Sequence, residues 1–246
     1  MNKISVVIIT KNEQNNIQRC ILSAQWADEI IVYDSGSTDE TVNIANKLGA
    51  KVITGPWLGF GPTKKRATDL ARFDWILSID ADEEISLDLK NEILEKINNL
   101  KPDTGYKLPR LSNYLRQNIY HGGWYPDYQL RLFNRVESHW SLDLVHEKVK
   151  SKNTEIFLNH LNHYVFKNIS HQVLTNDTYS TLQALEMKKA GKEFSWFHFL
   201  TKPSVKFVEC YFLKLGLLDG WAGYLIARSA AYSVFLKWGK LKELDL

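Results

Sequence analysis

Short apolar runs alternate with stretches of helical spacing along the first hundred residues. The run Val6-Val7-Ile8-Ile9 is apolar on both faces, as expected of a strand buried in the middle of a sheet. After it, Ile17, Ile21 and Ala24 are spaced for the buried stripe of a helix. Further β-branched runs follow at residues 29–33, 51–53 and 75–79. This alternation predicts βαβ units and an α/β fold, with a Rossmann-like, mostly parallel sheet flanked by helices.

Local signals refine where the elements begin and end. The first helix is expected to start at about Glu13. Ser37 followed three residues later by Glu40 predicts a capping box for a second helix, which ends near Gly49. An aromatic, glycine-rich region up to about residue 166 predicts antiparallel strands and loops, and residues 167–246 return to a helical pattern.

Composition narrows the class of protein. The 246 residues are 44% hydrophobic and 24% charged, enough to bury one core or one core with a satellite subdomain. The formal net charge of +3 is too small to indicate a nucleic-acid-binding protein. Cys20 and Cys210 lack metal-ligand or redox spacing, and the first apolar run is too short for a signal peptide. We therefore expect a reduced, cytoplasmic protein.

Acidic residues follow two of the predicted strands. Asp34 ends the second strand, and Asp80-Ala81-Asp82 ends the fourth. Ligands of open parallel sheets bind at the carboxyl ends of the strands, and paired carboxylates suit Mg²⁺ or Mn²⁺ shared with phosphates. Asp34 alone is equally well explained as a helix cap or turn residue, and an isolated Asp-x-Asp is usually a solvated loop. The preceding strand together with Asp34 favours a metal site.

A basic segment precedes the fourth strand. Lys64, Lys65 and Arg66 begin a predicted helix from which they could reach phosphate oxygens. A solvated basic face is the alternative for two of the three.

These motifs together resemble the family 2 glycosyltransferases of GT-A fold. The matching segments are SVVIITKNE at residues 5–13, VYDSGSTDET at 32–41, Lys65-Arg66, and SIDADE at 78–83. The resemblance implies an inverting, metal-dependent enzyme with a UDP-sugar donor. It also implies that Asp34 contacts uracil or ribose, and that Asp80 and Asp82 lie at the ribose and metal. The donor-binding residues are then Thr10, Asn12, Glu13, Asp34, Lys65, Arg66 and Asp80.

Later segments resemble a subgroup that includes lipopolysaccharide core β-1,4-glucosyltransferases acting on heptose. They are GWYPDYQLRLF at residues 123–133 and Val145-His146-Glu147. The resemblance implies transfer of a hexose, glucose first among the candidates, to a lipid-linked glycan such as an inner-core heptose. The acceptor-binding residues are then Trp124, Tyr125, Gln129 and Arg131.

The resemblance leaves two candidates for the catalytic base, because this subgroup lacks the usual Glu-Asp pair and His146-Glu147 stands in its place. Inversion requires a carboxylate that takes the proton of the acceptor hydroxyl. Glu147 is the first candidate and Asp127 the second, although Glu147 is also explained by an ion pair with Lys148 or Arg131. A late histidine often completes the metal site of GT-A enzymes. The expected metal ligands are therefore Asp82, Asp80 and His163, and a structural role is the alternative for the histidine.

The resemblance also suggests a domain plan. We expect a GT-A catalytic domain over residues 1–166, with a nucleotide-sugar-binding half, 1–100, and an acceptor half, 101–166. In residues 167–246 aromatic side chains alternate with lysines, as in helices that lie on anionic lipid. No uncharged apolar stretch approaches the roughly 18 residues that span a bilayer. Peripheral contact with the inner membrane is expected, and packing on the catalytic domain or homo-oligomerisation through these helices is the alternative.

Two other functions are considered. A nucleotidyltransferase that makes the NDP-sugar would also combine such a sheet with an acidic metal site. The segment after the first strand, Thr10-Lys11-Asn12-Glu13-Gln14, lacks the glycine-rich loop usual in those enzymes. A catalytically inactive nucleotide-sugar-binding protein is disfavoured because the donor-site acids are present.

Overall fold

The first hundred residues fold into the strands and helices that their pattern predicts. The computed structural model describes residues 2–141 and 147–246. Its first elements are β1 Ile4–Thr10, α1 Ile17–Ala24, β2 Glu29–Asp34, α2 Thr41–Lys47, β3 Lys51–Thr54, α3 Phe60–Asp69, β4 Trp75–Asp80, β5 Glu83–Ile85 and α4 Leu87–Lys96.

Strands then dominate up to residue 166. They are β6 Thr104–Tyr114, β7 Gln117–Ile119, β8 Asp127–Asn134, β9 His139–Trp140, β10 Val149–Lys150, β11 Asn153–Ile156 and β12 Leu161–Phe166. Antiparallel pairs join β8 to β6, β7 to β6, β10 to β9 and β12 to β5, as predicted for this region. One pair differs, since β11 is parallel to β6.

A mixed sheet runs in the order β3-β2-β1-β4-β8-β6-β12-β5. The strands β3, β2, β1 and β4 are parallel neighbours, with Thr10 opposite Asp34 and Ile9 opposite Asp80. The predicted α/β fold, with helices flanking the sheet, is confirmed. Because parallel strands end at one edge, Thr10, Asp34 and Asp80 lie together at the carboxyl edge of the sheet.

Strand β1 is buried on both faces, as its sequence predicts. Val6 and Ile8 join a hydrophobic cluster that includes the buried side of α1. Val7 and Ile9 point to the opposite face and join a second cluster with Ala67 of α3. Burying one such side chain contributes about 1.5–3 kcal/mol to the stability of the fold. Because β1 is packed against helices on both faces, the carboxyl edge of the sheet is held in place.

Three helix starts differ from their predictions, and one of them is α3, which begins at Phe60 and not at Lys64. The predicted stripe of Ile17, Ile21 and Ala24 is buried, but α1 begins at Ile17 because residues 13–16 form a turn in which the N–H of Asn16 donates to the carbonyl of Glu13. The predicted capping box is wrong. Ser37 donates from its N–H and hydroxyl to the carboxylate of Asp34, and α2 starts at Thr41 without a side-chain cap.

The chain divides into two compact units that are interleaved in sequence. The first comprises Met1–Arg110 and Asp127–His163, and the second comprises Leu111–Pro126 and Tyr164–Leu246. The predicted boundary lies at residue 166, whereas the structure groups residues 111–126 with the C-terminal helices. Asp219 provides one reason, because its carboxylate accepts hydrogen bonds from the backbone N–H groups of Tyr120 and His121.

The second unit contains the predicted C-terminal helices, which are α5 Ile169–Lys189, α6 Trp196–Val208 and α7 Gly220–Glu243. A π-helical turn, Glu209–Leu213, and a 3-10 turn, Gly216–Asp219, connect α6 to α7. One of its cores surrounds Tyr114, whose hydroxyl donates to Oε1 of Gln172 at 2.6 Å. Across the described ranges, no helix combines the length and apolar character needed to cross a bilayer.

Candidate active site

Two loops interlock at the carboxyl edge of the sheet. The loop after β1 and the loop after β2 exchange hydrogen bonds: the N–H of Asn12 donates to Oγ of Ser37, and the N–H of Thr38 donates to Oδ1 of Asn12, both at 2.8 Å. The N–H of Glu13 donates to Oγ1 of Thr41 at 2.8 Å. Asn12 adopts a φ of 57°, which asparagine tolerates better than most residues. The loops therefore form one rigid rim beside β1 and β2.

Asp34 organises this rim. Its side chain is buried, and its carboxylate accepts hydrogen bonds from the N–H groups of Gly36 and Ser37, each at 3.0 Å. Gly36 has a φ of +87°, a conformation that glycine adopts at little cost. The turn role that the sequence left open is present in the fold, and it does not exclude a ligand contact.

Two hydroxyl groups beside Asp34 are buried without a protein partner. Oγ1 of Thr10 and Oγ of Ser35 have no hydrogen-bond partner within the described part of the chain. Buried polar groups are normally satisfied, and an unpaired hydroxyl costs about 1–3 kcal/mol. These two atoms are therefore positioned to meet a polar ligand at the sheet edge.

The acidic turn after β4 is held by two buried cations. Asp80 receives Nζ of Lys64 on Oδ1 at 3.0 Å and Nη2 of Arg131 on Oδ2 at 2.5 Å. Burial alone would raise the pKa of Asp80, but Arg131 and Lys64 outweigh it and hold that pKa well below its usual range. Asp80 is therefore ionised, and both of its oxygens are engaged.

The ion pairs continue away from Asp80. Nη2 of Arg131 also donates to Oε1 of Glu83 at 2.6 Å, and Nη1 of Arg110 reaches the same oxygen at 3.3 Å. Arg110 then binds Oδ2 of Asp127 through Nε and Nη2, and Gln129 donates to Oδ1 of Asp127 at 2.7 Å. Since β8 runs antiparallel to β4, its first residues meet the end of β4 at the same edge.

Glu147 lies on the other side of the network. Its Oε1 accepts from Nζ of Lys64 at 2.9 Å, so one ammonium group bridges Glu147 and Asp80. Lys64 also lies over the ring of Trp140 at 5.1 Å from the centroid. The ion pair expected as an alternative role of Glu147 thus exists, but with Lys64 and not with Lys148 or Arg131. His146 lies outside the described residues.

Asp82 and His163 lie beside each other, and both are of residue types that can ligate a metal ion. Nε2 of His163 lies 3.5 Å from Oδ2 of Asp82, and the antiparallel pairing of β12 with β5 places His163 opposite Glu83. Within residues 2–141 and 147–246, no cluster of three or more acidic, histidine or cysteine side chains could hold a metal ion. A carboxylate nevertheless suits Mg²⁺ or Mn²⁺, and an imidazole can ligate Mn²⁺, when phosphate oxygens and water supply the other ligands.

Of the three basic residues named from the sequence, Lys64 is the one that reaches the acidic turn, and not Lys65 or Arg66, the two assigned to the donor. Lys64 is buried and reaches the acidic turn, whereas Lys65 pairs with Asp69 at 2.7 Å and Arg66 is exposed. The sequence carried a signal for this, because Lys64 shares a helical stripe with the buried Ala67 and Thr68 at spacings of three and four. Glu83 and Arg110 also belong to the network and were not predicted.

The residues expected to bind the acceptor fall into different environments. Gln129 contacts Asp127, and Arg131 is 3% exposed and engaged with acids. In the second unit, Trp124 packs edge-on against Tyr114 at 5.9 Å, and Tyr125 packs against Tyr120 at 5.8 Å. Trp124 thus contributes to a hydrophobic core.

Sequence comparisons show which family the chain resembles. The model of the family described as Glycosyl transferase family 2 matches residues 5–152. An uncharacterized glycosyltransferase of Rickettsia typhi is 34% identical over 259 residues, covering all of this chain and 89% of the relative. A lipopolysaccharide core biosynthesis glycosyltransferase, LpsC, of Rhizobium meliloti is 26% identical over 253 residues, covering 98% of this chain and 92% of the relative.

Similar solved structures are more distant. A mycobacterial protein is 17% identical, with a TM-score of 0.49 and coverage of 74% of each chain. Glucosyl-3-phosphoglycerate synthase of Mycobacterium tuberculosis, solved with Mn²⁺, UDP-glucose and phosphoglyceric acid, is 26% identical with a TM-score of 0.38, covering 47% of this chain and 45% of that chain. Likenesses this partial do not identify a substrate.

Proposed function

We propose that this chain, which belongs to glycosyl transferase family 2, transfers a hexose with inversion from a UDP-sugar to a lipid-linked glycan. Glucose is the first candidate sugar, and an inner-core heptose of lipopolysaccharide is the first candidate acceptor. The reaction would take place at the cytoplasmic face of the inner membrane. The distant similarity to LpsC over nearly the full chain supports the choice of acceptor class.

One observation carries the donor assignment. The acidic turn after β4 lies at the same sheet edge as two buried hydroxyls, those of Thr10 and Ser35, which have no partner among the residues that the structure describes. In the proposed complex these hydroxyls and the rim around Asp34 bind the nucleoside. Lys64 and Arg131 fix Asp80, so that it can accept a hydrogen bond without moving.

A divalent ion, Mg²⁺ or Mn²⁺, would be held by Asp82 and His163 together with diphosphate oxygens. The two side chains approach each other to 3.5 Å, and each is partly exposed, which leaves room for shared ligands. When bound, such an ion neutralises charge on the diphosphate. Asp80 is the less suitable ligand, because both of its oxygens already contact cations.

Glu147 is the proposed base. It would take the proton of the acceptor hydroxyl as that oxygen bonds to the anomeric carbon and the bond to the UDP oxygen breaks, its electron pair leaving with UDP. Lys64 occupies Oε1 of Glu147, so Oε2 is the oxygen assigned to the proton. Asp127 is the weaker candidate, because Arg110 and Gln129 donate to both of its oxygens.

The products of a donor screen test this function. We expect incubation with Mn²⁺, a heptose-containing core oligosaccharide and UDP-glucose, UDP-galactose or UDP-N-acetylglucosamine to release UDP. Mass spectrometry should then find the acceptor heavier by one sugar with one of these donors. Release of pyrophosphate from a sugar phosphate and UTP would instead identify a nucleotidyltransferase, and nucleotide binding without any product would identify an inactive binding protein.

A further inference from the structure

The segment from Trp196 to Tyr224 presents large apolar side chains to solvent. Helix α6 has no buried residue over its 13 positions. Eight large apolar side chains of the segment are between 51% and 75% exposed, and we call them the apolar face: Trp196, Phe197, Leu200, Val205, Phe212, Leu213, Leu218 and Trp221. Contiguous exposed apolar patches on soluble domains usually mark an interaction site.

Packing within the second unit accounts for only one side of α6. Phe199 stacks against Phe235 at 4.7 Å and Phe207 meets Tyr224 edge-on at 5.9 Å, so these two rings hold α6 on α7. Phe197 and Leu200 of the same helix are left 71% and 66% exposed by the described residues. Large apolar side chains that the unit itself leaves uncovered indicate a second partner.

Lysine side chains lie near the start of α6, where Trp196 of the apolar face packs against Phe199 at 5.9 Å and Phe199 shares a hydrophobic cluster with Trp238. Nζ of Lys202 lies over the ring of Trp238 at 5.2 Å, next to Lys237. Burial and the neighbouring Lys202, Lys192 and Lys206 lower the pKa of Lys237. Of these four, only Lys206 has a salt bridge within the described ranges, to Glu209 at 3.1 Å. The site therefore has a positive potential that its own side chains do not neutralise.

We propose that the apolar face docks on a bilayer surface that contains anionic lipid, with its rings and leucines among the headgroups and the four lysines against lipid phosphates. Aromatic and aliphatic side chains beside lysines are the combination that interfacial helices use. This proposal rests on the proposed function in one respect: membrane docking would bring the enzyme to its lipid-linked acceptor.

Charge distinguishes a bilayer from a second copy of the chain. A two-fold symmetric dimer through the apolar face would place the same patch against itself, and the lysine groups of both copies would face each other. An anionic surface instead supplies negative charge for Lys192, Lys202 and Lys237, which have no salt-bridge partner among the described residues.

Vesicle flotation of the full chain tests the proposal. We expect binding to mixed phosphatidylcholine and phosphatidylglycerol vesicles at low salt, and little binding to phosphatidylcholine alone. The double variant Phe197→Ser/Leu200→Ser should lose most of this binding, and Lys202→Gln and Lys237→Gln should each weaken it about fivefold, the factor given by about 1 kcal/mol per lysine. Leu158→Ser is the matched control, because Leu158 is 82% exposed in the first unit.

Three outcomes would overturn the proposal: a parent protein that ignores anionic vesicles, variants that bind like the parent, or variants that change only the mass measured by light scattering. The last outcome would assign the face to a second copy. UDP release with a soluble acceptor, measured without vesicles, separates this test from that of the function. The variants should keep that activity, whereas its absence from the parent would reject the proposed function alone.

Discussion

Replacing Glu147 with glutamine is expected to lower kcat for sugar transfer by about 10²–10⁴-fold, the range supplied by a positioned general base. Glutamine keeps the size of the side chain and can still contact Lys64, but it cannot take the proton of the acceptor hydroxyl. Lys64 also remains paired with Asp80 at 3.0 Å, so the acidic turn should keep its geometry. Affinity for UDP, measured by calorimetry, should therefore change little.

Two further variants make this prediction specific. Glu137→Gln removes an exposed carboxylate from the turn between β8 and β9 and should leave turnover unchanged. Asp127→Asn should lower kcat much less than Glu147→Gln, because Arg110 and Gln129 already occupy its oxygens. A large loss in Asp127→Asn together with normal turnover in Glu147→Gln would transfer the role of base to Asp127.

Replacing Arg131 with methionine is expected to lower the free energy of unfolding by about 3–5 kcal/mol, the cost of removing one partner from a buried ion pair. Arg131 is 3% exposed, and its Nη2 donates to Asp80 and to the fully buried Glu83. Without Arg131, the negative charges of Glu83 and Asp80 are balanced only in part, by Arg110 and Lys64 respectively. The loss is greatest where the acids are ionised, so acidification should narrow the difference between variant and parent.

Urea denaturation of the parent and Arg131→Met measures this cost. Arg72→Met is the matched control, because Arg72 is exposed and contacts the ring of Phe73 at 5.5 Å. Its replacement should change the free energy of unfolding by less than about 1 kcal/mol. If the two variants had the same free energy of unfolding, the ion pairs of Arg131 with Asp80 and Glu83 would contribute nothing measurable to stability.

Local patterns predicted the sheet because burial follows directly from sequence spacing. Strand β1 is apolar at consecutive positions and is buried on both faces, and the stripe of α1 is buried at Ile17, Ile21 and Ala24. Asp34 and Asp80 end parallel strands, so they lie at one edge of the sheet for any conformation of the connecting loops.

The contacts among side chains could not be predicted in the same way, because they join residues far apart in the chain. Lys64 meets Glu147 across 83 positions, and Arg131 meets Glu83 across 48. The sequence around Ser37 fits a capping box, but the N–H and hydroxyl of Ser37 donate to the carboxylate of Asp34 instead. Likewise, the anchoring of Tyr120 and His121 on Asp219 joins residues 111–126 to the C-terminal helices, which no local pattern reveals.

The central claim is that the acidic turn after β4 binds the donor diphosphate through a divalent ion held by Asp82 and His163. Calorimetric titration of UDP with and without Mn²⁺, on the parent and on Asp82→Asn, tests it most directly, with the exposed Asp88→Asn as control. We predict that Mn²⁺ raises the affinity of the parent and of the control by about tenfold or more, equivalent to about 1.4 kcal/mol, and leaves that of Asp82→Asn unchanged. An equal response of all three proteins to Mn²⁺ would contradict the account.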